Sequence, residues 1–332
     1  MKASILLVVL AACAGDVIGG SGPDPDPGKD DGSRDAATGR PDGGVGPGTD
    51  ASGPGADGGT TTVQTGTFLL TLDHGAFPPT SAHPSALVYV PAGFDPTPPL
   101  GLVVYIHGFW NCVANSVLEE WTPCTAGGEA RSPAGMARQL EASGRNAIFL
   151  APEVAYDQAS GNAGALGNTN GFRALVAEVL EEMTPAIGAF TVDDVGRVVL
   201  LSHSGAYVAS ASIITRGGIT IDELFLLDSL YGQEAAFDAW VMDDLASVTT
   251  EMRRFGNLYT SAGGGTLDES QAMADRASDW VGGTPGVLLD DRTTAPWTDD
   301  DYHHGLFFKL TDVSHADVPL VYAEPILRTS GL

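Results

Sequence analysis

Ser204 stands where the apolar run at residues 198–201 passes through Ser202 and His203 into Gly205, Ala206 and a helix-forming stretch reaching residue 215. A serine on a strand-to-helix turn projects its hydroxyl above the sheet, and the helix N-terminus behind it favours negative charge developing nearby. An attacking oxygen needs that placement; in the plainer role, the same Ser and Gly only cap a helix. A serine hydroxyl becomes nucleophilic when a base takes its proton and a third group orients the base. Of seven histidines, His303, His304 and His315 follow Ser204 in the chain. Asp228 ends the apolar run at residues 224–227 and leads into Ser229-Leu230-Tyr231-Gly232, an unusual place for an idle carboxylate. Asp268, after three glycines at residues 263–265, is the alternative acid. His303 and His304 lie beside Asp299-Asp300-Asp301, but adjacent histidines rarely aim at one ion. A solvated acidic loop is therefore the expectation there, and neither a metal nor another cofactor is assigned.

These residues need a scaffold. Short β-rich segments at residues 67–72 and 86–91, bounded by turn residues, are expected as antiparallel opening strands. Residues 102–106, 146–152, 197–201 and 223–227 are almost continuously apolar, which suits strands covered on both faces. Further strands are expected at 255–259 and 306–310. Helical periodicity marks residues 134–142, 171–183, 205–215 and 320–327; in the second, Phe172, Leu175, Val176, Val179 and Leu180 share one face. Strands alternating with helices imply an α/β fold with a mostly parallel central sheet and helices on both faces. No internal repeat is present.

In order and context, residues 87–332 resemble the α/β-hydrolase superfamily. The turn at Ser204 is similar to its nucleophile elbow, Gly-x-Ser-x-Gly, departing from it at Ser202 and Ala206. Both substitutes are small, as the close approach of strand and helix demands. Ile106-His107-Gly108-Phe109-Trp110 resembles the His-Gly oxyanion loop of that superfamily. The resemblance implies backbone N–H groups of Phe109 and Gly205 as oxyanion donors, with Trp110 next in the loop, and His107 and His203 as packed structural histidines. The superfamily order of nucleophile, acid, then histidine implies His315 as the base, between the last strand and the terminal helix. The acid usually follows a later strand, where Asp268 stands; placement after the earlier one also occurs, and Asp228 is preferred. The implied activity is hydrolysis of a carboxylic ester through an acyl-enzyme, with no cofactor. An exported peptidase or amidase with the same triad is one alternative. A non-catalytic surface lipoprotein that binds a ligand or wall polymer is another, and it has no need of Ser204, His315, Asp228 and the His-Gly loop together.

Of 332 residues, 42 are acidic and 16 basic, for a formal net charge of −26. That balance argues against a nucleic-acid partner and against charge-driven membrane binding. Residues 1–12 have the features of a signal peptide: Lys2, an apolar run at residues 5–10 too short to span a bilayer, then small residues up to Cys13. Leu10-Ala11-Ala12-Cys13 resembles the bacterial lipobox, which implies a lipid on Cys13 and an exported lipoprotein anchored to the cell envelope. Residues 13–62, rich in Gly, Pro and Asp, are expected as a disordered tether, with the hydrolase domain at 63–332. Cys112 and Cys124 form an even pair in an exported chain and are expected as a disulfide. The expected partners are a small-molecule or polymer acyl substrate and, through the lipid, a membrane. Lid and acyl-pocket residues are expected within 112–128 and 160–171.

Overall fold

The computed structural model describes residues 62–156, 158, 162–262 and 265–332. The signal segment, Cys13 and the tether as far as residue 61 lie outside the described residues. Among those described, one sheet has nine strands: β1 (Gly66–Leu70), β2 (Ala86–Val90), β3 (Leu100–Ile106), β4 (Ala147–Pro152), β5 (Val195–His203), β6 (Glu223–Leu227), β7 (Arg254–Thr260), β8 (Leu288–Asp291) and β9 (Leu306–Thr311). Their spatial order is β1-β2-β4-β3-β5-β6-β7-β9-β8. β1 pairs antiparallel with β2, and β2 with β4; every other pairing is parallel.

Every residue of β3, β4, β6 and β7 is buried, the expected consequence of apolar strands covered on both faces. Alternation divides them between two cores: Leu102, Val104 and Ile106 enter one, Val103 and Tyr105 the other. Helices α1 (Val113–Val117), α2 (Met136–Ser143), α3 (Gly171–Ile187), α4 (Tyr207–Arg216), α5 (Glu234–Asp243), α6 (Leu245–Thr249), α7 (Leu267–Val281) and α8 (Val318–Thr329) connect the strands. The first core takes Phe172 and Leu175 of α3, Ile213 of α4, Phe237 of α5 and Met273 of α7. The second takes Leu140 of α2 and Ile326 of α8. Each such fully buried side chain stabilises the fold by about 1.5–3 kcal/mol relative to leaving it in water. The chain therefore has an α/β fold, with a mostly parallel sheet and helices on both faces.

Edge strand β8 and helices α5 to α7 are not evident in the sequence periodicity. β8 is only half-buried and reads Leu-Leu-Asp-Asp, so it lacks the apolar run that marks the inner strands. Its Asp291 instead accepts a hydrogen bond from the buried ammonium of Lys309 on β9 at 2.7 Å. Because β3, β5, β6 and β9 run the same way, their C-terminal ends share one edge of the sheet. Gly108, Ser204, Asp228 and His315 all follow those ends. His303 and His304 precede β9 and so lie at the opposite edge.

Candidate active site

At the end of β5 the chain turns through Ser204, a non-glycine residue in the left-handed region at φ 56°, then a short 3-10 turn, Ser204–Ala206, then α4. Such a conformation costs about 1–3 kcal/mol and persists only where its surroundings enforce it. Part of that enforcement comes from Ser202. Its buried hydroxyl lies 2.8 Å from the Ser229 hydroxyl, which donates to the Ser204 carbonyl at 2.7 Å. The residue standing in a glycine position of the elbow motif thus braces the turn. The oxyanion-loop candidate packs directly against it. A Cβ on Gly108 would stand 2.7 Å from Ser204 Cβ, and one on Gly205 only 1.8 Å from the Phe109 ring. The loop closes on itself through Asn111 N–H to the Gly108 carbonyl, with Trp110 at φ 58°. Among the described residues, the Phe109 N–H has no backbone acceptor.

Ser204 Oγ lies 2.8 Å from His315 Nε2, and His315 Nδ1 lies 2.5 Å from Asp228 Oδ2. With Nδ1–H donating to the carboxylate, Nε2 presents its lone pair to the serine hydroxyl. Asp228 is fully buried, and its second oxygen accepts from the Thr266 hydroxyl and from Thr260 N–H at 3.3 Å. The Tyr231 hydroxyl is 3.4 Å from His315 Nδ1; burial first, and then the charge of Asp228, push its phenol upward, so it stays protonated. Asp268 lies elsewhere, exposed in the first turn of α7. His303 is exposed, and His304 bonds the Asp301 carbonyl at 3.1 Å.

The two remaining histidines of the motifs hold main chain. His203 donates from Nε2 to the His315 carbonyl at 3.0 Å. Burial, then the neighbouring His315, push it down to about 3, so it adds no positive charge beside His315. His107 donates from Nδ1 to the Gly108 carbonyl at 2.9 Å and meets Glu153 Oε1 through Nε2 at 2.8 Å. Burial raises the Glu153 carboxyl, but hydrogen bonds from His107 and Val113 N–H, with the His83 ring 3.5 Å away, outweigh it and hold it below the usual range.

Glu153, Thr266 and Ser229 are absent from the sequence-derived set. Glu153 carried a signal, because it follows a buried strand just as Asp228 does. Thr266 and Ser229 carried none, since their hydroxyls gain meaning only from what they touch.

Cys112 and Cys124 are joined by a disulfide, with Cα atoms 5.9 Å apart. It clamps a hairpin in which Thr122–Pro123 pairs with Ala130–Arg131. A cavity of about 130 Å³ opens over the site, lined by Ser204, His315, Phe109, Trp121 and Arg131 among others. A larger groove of about 770 Å³ lies before β6, lined by Ile219, Trp240 and Arg253, away from Ser204. Among the described residues no cluster of three His, Cys, Asp or Glu side chains is arranged to hold a metal ion.

No protein-family model matches the chain, and no curated protein matches it. Solved structures do resemble it. A feruloyl esterase module from Clostridium thermocellum, complexed with sinapinate, is 10% identical with a TM-score of 0.45, covering 80% of this chain and 95% of the other. The BES protein from Bacillus cereus is 11% identical with a TM-score of 0.45, covering 82% and 97%. An S-formylglutathione hydrolase from Staphylococcus aureus is 12% identical with a TM-score of 0.41, covering 81% and 97%.

Proposed function

We propose that this α/β-hydrolase-fold chain is a serine hydrolase that cleaves carboxylic esters through an acyl-enzyme. The observation that supports this most is the continuous hydrogen-bonded line Ser204–His315–Asp228, which begins at a strained turn and ends on a wholly buried carboxylate. In this reading His315 Nε2 takes the Ser204 hydroxyl proton as Oγ bonds to the ester carbonyl carbon. Asp228 holds the tautomer and stabilises the imidazolium. The carbonyl electron pair moves onto oxygen, where N–H groups of Phe109 and Gly205 receive it; each such donor is worth roughly 10²–10³ in rate. Collapse expels the alcohol with the proton from His315, and water repeats the cycle on the acyl-serine.

The test is a fluorophosphonate probe together with 4-nitrophenyl acetate and its anilide analogue. Labelling at Ser204, with both labelling and ester turnover lost in Ser204→Ala, supports the reading; undiminished turnover in that variant sinks it. The lipid anchor belongs to the same proposal and rests on the tetrad ending at Cys13. Mass spectrometry of the envelope protein should find a mature chain that starts at a diacylated Cys13, and a lipid-free start elsewhere would refute it.

A further inference from the structure

Arg131 stands beside Ser204. It lines the 130 Å³ cavity that holds Ser204 and His315, and also an adjoining cavity of about 270 Å³ walled by Trp110, Tyr156 and His83. Among the residues lining the two, Arg131 is the only arginine or lysine and Glu129 the only acid. Its guanidinium lies 5.9 Å from the centre of the Trp110 ring, and Trp110 and Trp121 are 43% and 53% exposed. One aromatic residue beside the cation and a second on the wall of the cavity that holds Ser204 form an apolar surface with one anion-seeking point. The position is also built. Asn111 donates to the Ser132 carbonyl at 2.8 Å, Asn115 donates to the Thr122 carbonyl at 2.9 Å, and the disulfide fastens the same hairpin to the oxyanion loop.

We propose that Arg131, held by the disulfide-braced hairpin beside Ser204, selects esters that carry an anionic group on one arm. This rests on the hydrolase reading of the same site. In a chain of net charge −26 an anionic substrate is repelled at long range, so its capture requires a local cation. Glu129 pairs with Arg131 at 2.9 Å, but its side chain is 64% exposed against 30% for the arginine. An exposed pair of this kind is weak, so a carboxylate entering from the cavity displaces Glu129 and takes the planar, two-pronged guanidinium.

The experiment measures kcat/KM for two matched pairs. The first is 4-nitrophenyl hydrogen succinate against its methyl ester, with the anion on the acyl arm. The second is 4-acetoxybenzoate against 4-acetoxybenzamide, with the anion on the alcohol arm. The wild-type protein should prefer the anion at least tenfold in one pair. Arg131→Gln should remove that preference and Glu129→Gln should enlarge it. An anion-to-neutral ratio that Arg131→Gln leaves unchanged overturns the proposal while leaving the hydrolase intact. A second arm needs no turnover. Tryptophan fluorescence of Ser204→Ala protein titrated with monomethyl succinate should show saturable quenching that dimethyl succinate does not produce, lost on adding Arg131→Gln. Selective binding without hydrolysis by the wild type would sink the hydrolase reading and keep the anion site; quenching indifferent to Arg131→Gln would sink the site.

Discussion

Asp228→Asn separates the two candidate acids by mechanism. Asp228 Oδ1 already accepts from Thr266 and Thr260 N–H, so in the variant the amide oxygen keeps that place and the NH₂ is turned toward His315 Nδ1. An NH₂ only donates, so Nδ1 must give up its proton and accept. The imidazole then carries its hydrogen on Nε2, facing the Ser204 hydroxyl 2.8 Å away with no lone pair to receive a proton. A wrong tautomer of this kind lowers turnover by about 10⁴-fold in serine hydrolases, equivalent to about 5 kcal/mol of transition-state stabilisation. Packing is unchanged because the amide is isosteric and each hydrogen bond has a replacement. Asp268→Asn, at an exposed helix start, should stay within about twofold, since its only expected effect is a helix-end charge term of about 0.3–1 kcal/mol on stability. The assay is steady-state hydrolysis of 4-nitrophenyl acetate, with fluorophosphonate labelling rate as a second measure of nucleophile activation and circular dichroism as the check on folding. Turnover within tenfold of wild type in a folded Asp228→Asn protein, or a comparable loss in Asp268→Asn, refutes the reasoning.

Gly108→Ala puts a methyl group 2.7 Å from Ser204 Cβ, so the loop must retreat; kcat should fall roughly 10²-fold or more with stability little changed, and normal kcat would contradict the interlock. Reducing the disulfide opens a loop of sequence separation 12, worth about 3 kcal/mol in the chain-entropy model, so the melting temperature should drop by roughly 6–12 °C in a reductant titration. His203 titrates near 6.5 when unfolded and near 3 when folded, so its contribution to stability is full above pH 6.5 and is lost as pH falls toward 3, at about 1.4 kcal/mol per pH unit. Thermal melts between pH 7 and 4 should therefore show a shallower decline for His203→Gln, which keeps a donor for the His315 carbonyl; equal slopes would count against a neutral buried His203.

Local periodicity was enough to place the inner strands. Leu102 to Ile106, or Leu224 to Leu227, carries its burial on both faces in its own composition, because a strand covered twice cannot tolerate polar side chains. The same rule hid β8, whose edge position lets it read Leu-Leu-Asp-Asp, and passed over α7, whose outer face is rich in acid and amide. For the site, the chain alone pointed to Ser204 as a candidate nucleophile and, with the Asp-ended strand and the resemblance, preferred Asp228 over Asp268 and His315 over His303 and His304. Which of these meet is a property of strand order. β5, β6 and β9 are separated by many residues, yet lie within three neighbours of one another in the sheet, so only the assembled register sets Asp228 and His315 at 2.5 Å and sends Asp268 to a helix start. Thr266 and Ser229 belong to the same class of information, whereas Glu153, at the end of a buried strand, carried a position but not its partners. A hydroxyl or a carboxylate has no fixed role in a sequence, because hydrogen bonds act over about 3 Å and are decided by which parts of the chain are brought together.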